Sequence, residues 1–343
     1  MNKPLDPTKT SSYDYSLPNE LIASYPLPNK TDAKLLIYNR TNKSITHTSF
    51  KYILDYIPED TNIFFNDTKV IKARIFGEKQ SGGKIELLFN KPHINNTFVV
   101  FIRGRVKIGT ELFFDQDLKA IVKELSVDGS RVVEFYQKDI KLDFITLINI
   151  LNDIGHIPLP HYLGREDEKS DESEYQTVFG KNYGAVAAPT ASLHFDDILL
   201  RDLEDKFNTY YLTLHVGAGT FKPVDVEDIL EHPMHSEYFN IPCKAQSILD
   251  SERKVLAVGT TVTRTIEYYN KTKETNGEAN IFLNPLNLPK RVDYLLTNFH
   301  LPKSTLIMLV ASFVGLEETL RIYNEAIREK YRFFSYGDGM LII

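Results

Sequence analysis

The sequence predicts an α/β domain with an associated or inserted small antiparallel β-barrel domain. Between residues 66 and 150, short β-branched or aromatic runs recur at roughly 8–12-residue spacing, the mark of a small barrel or sandwich. From residue 155 onward, strand-like runs alternate with amphipathic helical ones, the mark of an α/β unit. Two more strand-like runs, Leu35–Tyr38 and Asn62–Phe65, precede the barrel stretch. The expected division is therefore 1–65 with 151–343 as the α/β catalytic domain and 66–150 as the barrel.

The chain is long enough for both. At about 100–200 residues per domain, 343 residues suggest two domains. A 42% hydrophobic and 25% charged composition excludes wholesale disorder. The single cysteine, Cys243, excludes an intrachain disulfide, a thiolate zinc site and a CxxC redox pair, and fits a reducing cytoplasm. The polar run from Met1 to Ser16 has no apolar core and does not read as a signal peptide. The apolar stretch Leu306–Leu316 falls short of the roughly 20 residues a bilayer requires, so a buried helix and no membrane partner are expected.

The barrel strands are read at Val70–Phe76, Lys84–Phe89, Phe98–Ile102, Lys119–Leu125 and Arg131–Tyr136. Turn residues separate them at Ser81-Gly82-Gly83, Asn95-Asn96 and Asp128-Gly129. A helix follows over Asp143–Asp153, with Phe144, Leu147, Ile148 and Leu151 on one face and Gly155 as its stop. Gly155–Gly164 is extended, and the six acids of Arg165–Glu174 read as a solvated loop. Leu193–Phe207 reads as an amphipathic helix. Tyr210–Val216, Lys254–Val258 and Val292–Thr297 read as strands, the second entering a helix near Thr261. Ser304–Phe313 and Glu317–Lys330 read as helices.

Net charge is −6, which gives no global sign of nucleic-acid binding. Asn66–Thr110, however, nets +6. Lys69, Arg74, Arg103 and Arg105 within it are candidates for tracking phosphates; a solvated strand face is the plainer alternative.

Chemistry-bearing residues gather at the ends of the later strands. In Leu214-His215-Val216-Gly217-Ala218-Gly219-Thr220 a strand runs into a glycine turn, where exposed N–H groups can receive an anion. A Rossmann-type methyltransferase turn would open a helix, whereas Pro223 and Val224-Asp225-Val226 follow here. His215 ends that strand. His194 is expected at a helix start, which would keep it neutral and ready as a base. A satisfied structural histidine is the plainer reading of either residue alone. Pro233 breaks the helical geometry that His232 and His235 would need to share a metal, so Glu237 reads as a polar pocket liner and no metal is expected. Strand-to-helix junctions at Thr297–Ser304 and Gly259–Arg264 can receive a phosphate or carboxylate, or can simply cap their helices.

Taken in order, these strings resemble the S-adenosylmethionine:tRNA ribosyltransferase-isomerase family of queuosine biosynthesis. The matching segments include Asp14-Tyr15-Ser16-Leu17-Pro18, Asn66-Asp67-Thr68-Lys69-Val70-Ile71, Ile157-Pro158-Leu159-Pro160, Gly184 to Phe195, Leu214 to Pro223, Met234-His235-Ser236-Glu237, Leu296 to Leu306 and Phe333 to Asp338. Departures fall at Ser192, where the family usually has Gly, at Val262-Thr263, at Pro285-Leu286-Asn287, at His161 and at Gly339.

The resemblance implies that S-adenosylmethionine donates its ribosyl part to the aminomethyl group of a 7-deazaguanine at the anticodon wobble position of tRNA. The product is epoxyqueuosine, with adenine and methionine released. It implies an α/β domain with an associated β-barrel and no metal. Such chemistry needs a general base beside the sulfonium, and His215, His194 and Glu237 are the expected catalytic groups. Thr190, Gly217, Gly219, Thr220, Thr261, Arg264, His300 and Lys303 are expected to bind substrate, and Lys69, Arg74, Arg103 and Arg105 to hold the tRNA. A cytoplasmic monomer is expected. The alternatives are an S-adenosylmethionine-dependent RNA methyltransferase and a catalytically silent tRNA-binding protein.

Overall fold

The computed structural model describes residues 5–217, 219 and 224–343. In chain order it begins with β1 (Lys34–Asn39), β2 (Ser44–Ser49), β3 (Asn62–Asn66), β4 (Thr68–Val70), β5 (Arg74–Lys79) and β6 (Lys84–Pro92). There follow β7 (Phe98–Arg103), β8 (Glu111–Phe113), β9 (Leu118–Leu125), β10 (Arg131–Gln137), β11 (Ile140–Lys141) and α1 (Phe144–Ile154). Next come α2 (Asp171–Glu174), β12 (Asn182–Ala185), α3 (Asp197–Lys206), β13 (Asn208–Leu214), β14 (Glu237–Asn240) and α4 (Cys243–Leu249). The chain closes with β15 (Val255–Val258), α5 (Thr260–Thr272), β16 (Asn276–Ala279), β17 (Tyr294–Asn298), α6 (Thr305–Val314), α7 (Leu316–Arg328) and β18 (Gly339–Ile342).

Nine strands form one sheet in the order β16-β14-β13-β3-β15-β17-β18-β1-β2. At its centre β13, β3, β15 and β17 run parallel. β3 and β15 are buried along their whole length, and apolar residues run without alternation through Ile63–Phe65 and Val255–Val258. Their side chains still divide by face. Ile63, Phe65 and Leu256 pack with Leu199 and Leu203 of α3. Phe64 and Ala257 face the other way, toward Ile266 of α5, Met308 of α6 and Ile322 of α7. The result is a three-layer helix–sheet–helix unit.

The barrel arises between β3 and β13 in chain order. β10-β7-β6-β5-β8-β9 form an antiparallel series, and β9 pairs back to β10, closing six strands with β11 attached to the outside of β10. β6 alternates buried and half-exposed residues, as a strand with one wet face must. The turn residues do their expected work. Gly82 and Gly129 adopt φ of +78° and +89°, and Asn95 and Asn96 both sit at +52°. β8, three residues long, is too short to show any alternation in sequence.

α1 starts where expected, because Asp143 caps it by accepting from the Thr146 N–H at 2.8 Å. Leu147 and Leu151 of α1 join the barrel core with Phe89 and Phe135. Gly155 ends the helix at an ordinary φ of −87°. What demands glycine there is crowding: a Cβ would lie 2.1 Å from the Lys72 carbonyl oxygen.

Three expectations need correction. The Val70–Phe76 run is not one strand. β4 pairs with β12 in a separate two-stranded sheet, and the chain breaks at Ile71–Ala73, whose N–H groups bond to Ala185 and Ile71 carbonyls. The helix read from Leu193 begins at Asp197, because the Asp196 carboxylate takes the Leu199 N–H at 2.7 Å and fixes the start there. His194 therefore lies upstream of the helix, not at its N-terminus. Finally, Arg165–Glu174 is not a solvated loop: Asp171 is fully buried within it, against Arg165 and Tyr336.

Candidate active site

The C-terminal ends of β13, β3, β15 and β17 share one edge of the sheet, the edge where open α/β sheets receive ligands. β14 begins at that edge, since it runs antiparallel to β13 with Leu214 opposite Phe239. His215, Glu237, Gly259 and His300 are brought together along this rim, although they lie up to 85 positions apart in the chain.

A cavity of about 290 Å³ opens there. Its walls are Ala187–Ala191, the first residues of α5 with Gly259, the Thr297–Pro302 segment, and the rings of Tyr162 and Phe334. The lining is mainly apolar, with a few convergent polar groups, as small-molecule sites are. Thr190 Oγ1 donates to Asn298 Oδ1 at 2.9 Å. His300 Nε2 pairs with Thr297 Oγ1 at 2.9 Å, and burial pushes its pKa down to about 3, so the ring is neutral. Thr261 Oγ1 is buried and has no hydrogen-bond partner among the described residues. Because a buried polar atom usually has a partner, the N-terminal end of α5 offers a free hydroxyl to a ligand.

Phe334 forms part of the cavity wall in a left-handed conformation, φ +72°, unusual for an aromatic residue. Its N–H bonds to the Phe299 carbonyl at 3.0 Å, and Ser335 Oγ lies 2.6 Å from Tyr162 OH. In the sequence Phe333–Asp338 reads as a segment that closes a core or stacks on a base, with core the plainer reading, and Tyr162 does not stand out at all. A backbone angle leaves no mark on residue order, and Tyr162 lies in a segment read only as extended.

His194 does not line this cavity. It occupies a smaller crevice with Lys30, Arg332 and Tyr336, and packs against Phe50 at 4.7 Å. Burial, with help from Arg332 and Lys30, lowers its pKa to about 4. Its link to the cavity is indirect, through Asn298, whose Nδ2 lies 3.3 Å from His194 Nε2. Lys303 also stays out. Its ammonium pairs with Asp14 at 2.6 Å, and Ser304 caps α6 by accepting from Ile307 N–H. Ser192 buries a hydroxyl with no hydrogen-bond partner among the described residues.

A second cleft, of about 280 Å³, lies between the barrel and the sheet. His215 lines it, with Nδ1 2.8 Å from Thr68 Oγ1 and its ring stacked on Tyr238 at 5.7 Å. Burial pulls its pKa down to about 4, against a raising influence from Asp67. Gly184 has to be glycine here, since a Cβ would stand 2.8 Å from the His215 ring. Glu237 is buried. It accepts from Arg264 at 2.6 Å and from the Gly217 N–H at 3.1 Å. Arg264 also reaches the Ile281 carbonyl and lines neither cavity. Gly219 sits where a Cβ would touch the His235 ring at 2.7 Å. Thr220 lies outside the described residues.

The basic stretch is not one open cationic face. Arg74 is buried between Glu86 at 3.4 Å and Glu166 at 2.9 Å, which makes it a structural ion-pair partner rather than a free phosphate-binding group. Lys72 pairs with Glu172 at 2.9 Å, so the acidic segment lies against the barrel's root. Arg103 and Arg105 are exposed, Arg103 with Glu86 only at 3.9 Å. Lys69 is half-buried over the Tyr183 ring at 4.8 Å.

Residues 10–342 match the family model described as queuosine biosynthesis protein. The chain is 67% identical to the S-adenosylmethionine:tRNA ribosyltransferase-isomerase of Aliarcobacter butzleri, over 99% of this chain and all of that one. It is 59% identical to the enzyme of the same name from Campylobacter jejuni, over the full length of both. Among solved structures it resembles the S-adenosylmethionine tRNA ribosyltransferase of Thermotoga maritima, with 29% identity, a TM-score of 0.53, and coverage of 97% of this chain and 100% of that one. With the ordered motifs, the closed six-stranded barrel and the full-length matches agreeing, the chain belongs to the queuosine biosynthesis family of S-adenosylmethionine:tRNA ribosyltransferase-isomerases.

Proposed function

We propose that this protein transfers the ribosyl part of S-adenosylmethionine to the aminomethyl group of a 7-deazaguanine at the wobble position of tRNA, giving epoxyqueuosine, adenine and methionine. The observation that carries this is the 67% identity, end to end, with a protein named for the reaction. In this reading 1–65 with 151–343 form the catalytic domain, 66–150 holds the RNA, and the protein acts as a cytoplasmic monomer.

The apolar cavity at the α5 N-terminus suits S-adenosylmethionine. Its aromatic walls, Tyr162 and Phe334, provide faces that attract a sulfonium cation. The Thr261 hydroxyl and the Thr190–Asn298 pair provide polar anchors. His215 is the proposed base. A neutral imidazole can take the proton that leaves the carbon beside the sulfonium, and burial keeps His215 neutral at cytoplasmic pH. The Thr68 hydroxyl holds one ring nitrogen and fixes the ring's orientation. Glu237, held by Arg264, places a carboxylate beside the same turn. His194 acts through Asn298 on the Thr190 side of the cavity, as a positioning residue.

The test is a product assay. Labelled S-adenosylmethionine and tRNA carrying the aminomethyl base should yield free adenine, methionine and ribosyl-labelled tRNA. Adenosylhomocysteine with methylated RNA would make the protein a methyltransferase. Tight tRNA binding without turnover would make it a binding protein.

A further inference from the structure

The two cavities, of about 290 and 280 Å³, adjoin along the same stretch of chain at the end of β13. Val216 lines the first cavity; its neighbours His215 and Gly217 line the second. A group transfer between two substrates needs two such adjacent sites, and the first has been assigned to S-adenosylmethionine.

The second cleft has the chemistry of a base pocket. Both units build it, Asn90 and Phe144 from the barrel side and His215, Tyr238 and Glu278 from the sheet. The approach is close, since a Cβ on Gly217 would stand 3.1 Å from Asn90 Oδ1. Tyr238 and Glu278 are direct cross-strand partners of β14 and β16, so an aromatic ring and a carboxylate project from the same sheet face. Lys91 of the barrel grips both Glu278 oxygens at 2.8 Å, and Ser236 donates to the same carboxylate. The Glu278 carboxylate is thereby held in place, with accepting capacity left for N–H donors. Phe144 and Tyr238 offer aromatic faces, the surfaces on which unstacked bases rest.

We propose that this barrel–sheet cleft receives the extruded 7-aminomethyl-7-deazaguanine base, with Tyr238 and Phe144 as stacking faces and Glu278 as acceptor for its N–H edge. The assignment rests on the proposed reaction, because it takes the acceptor to be a guanine-type base carrying an amine. Removing the base from the anticodon loop is physically required, since a stacked base cannot reach a recessed site.

The experiment titrates the full-length protein with the free base 7-aminomethyl-7-deazaguanine and, separately, with S-adenosylmethionine. The native protein should bind the free base saturably. Tyr238→Ala and the conservative Glu278→Gln should each weaken that binding about tenfold, the size of one lost base-stacking or hydrogen-bonding contact. Both should raise the KM for tRNA and leave the Kd for S-adenosylmethionine within about twofold, while native melting curves confirm folding. Three results would overturn the proposal: no saturable binding of the free base, unchanged base affinity in both variants, or a loss of S-adenosylmethionine affinity instead. Release of adenine and methionine alongside any of these would sink the cleft assignment and leave the reaction standing. Adenosylhomocysteine as the product would sink the reaction itself.

Discussion

The Asp171 carboxylate, with no exposed surface, takes both terminal nitrogens of Arg165, at 2.6 and 2.8 Å. It also accepts from Tyr336 OH at 2.8 Å. Tyr336 sits two residues beyond Phe334, which lines the cavity in its left-handed conformation. A buried ion pair thus anchors the loop that forms one wall of the site. Burial alone would raise the carboxyl pKa, but Arg165 holds it below the usual carboxylate range. Asp171→Ala should cost about 3–5 kcal/mol, because Arg165 is left with its charge uncompensated. It should also raise the KM for S-adenosylmethionine. Urea unfolding and steady-state kinetics check the two parts.

His215→Ala should lower turnover by roughly 10²–10⁴-fold with a near-native fold, as loss of a general base does. With its pKa drawn down to about 4, His215 stays neutral from pH 6 to 8, so the rate should be flat there. An inflection near the ordinary histidine value would contradict this environment. Full activity in the variant would remove His215 from the mechanism.

Three buried histidines, 194, 215 and 300, have pKa values lowered to about 4, 4 and 3. Each is easier to protonate unfolded than folded. Their contribution to stability is therefore complete above the unfolded value near 6.5 and is lost as pH falls toward 4. Thermal melts from pH 7.5 down to 4.5 should show a progressive fall, and His300→Asn should flatten it.

Thr261→Val tests the unpartnered hydroxyl. Removing a buried polar atom that has no partner among the described residues should leave stability unchanged or slightly raised. Affinity for S-adenosylmethionine should fall about tenfold, the loss of one hydrogen bond of about 1.4 kcal/mol. Calorimetric titration and melting distinguish this from a structural threonine, whose loss would lower both.

For the RNA, Arg103 and Arg105 are the exposed cations to neutralise. The double Ala variant should weaken tRNA binding and reduce the slope of log Kd against log salt by about two. Arg74→Ala should behave differently. It breaks ion pairs to Glu86 and Glu166, so it should lower the melting temperature more than it changes the salt slope.

The sequence by itself determined the elements and their kind. The strand run Lys84–Phe89, the Gly82 and Gly129 turns, the helix ended by Gly155 and the apolar run of α6 are local properties, and local rules read them. Ordered motifs extended the reading to the family and its reaction. They also named His215, Glu237, Thr190, Thr261 and His300, which tertiary structure gathers on one sheet edge because β13, β15 and β17 end there. What only the tertiary structure decided is how charges and cavities are shared. Arg74 looked free until Glu166, 92 residues away, folded against it. Asp171 looked solvated until Arg165 and Tyr336 enclosed it. His194 looked like a helix-capping base until Asp196 took the cap. Pairing, burial and backbone angles such as that of Phe334 depend on what the rest of the chain packs alongside. A one-dimensional pattern holds periodicity and composition, and it does not hold those distances.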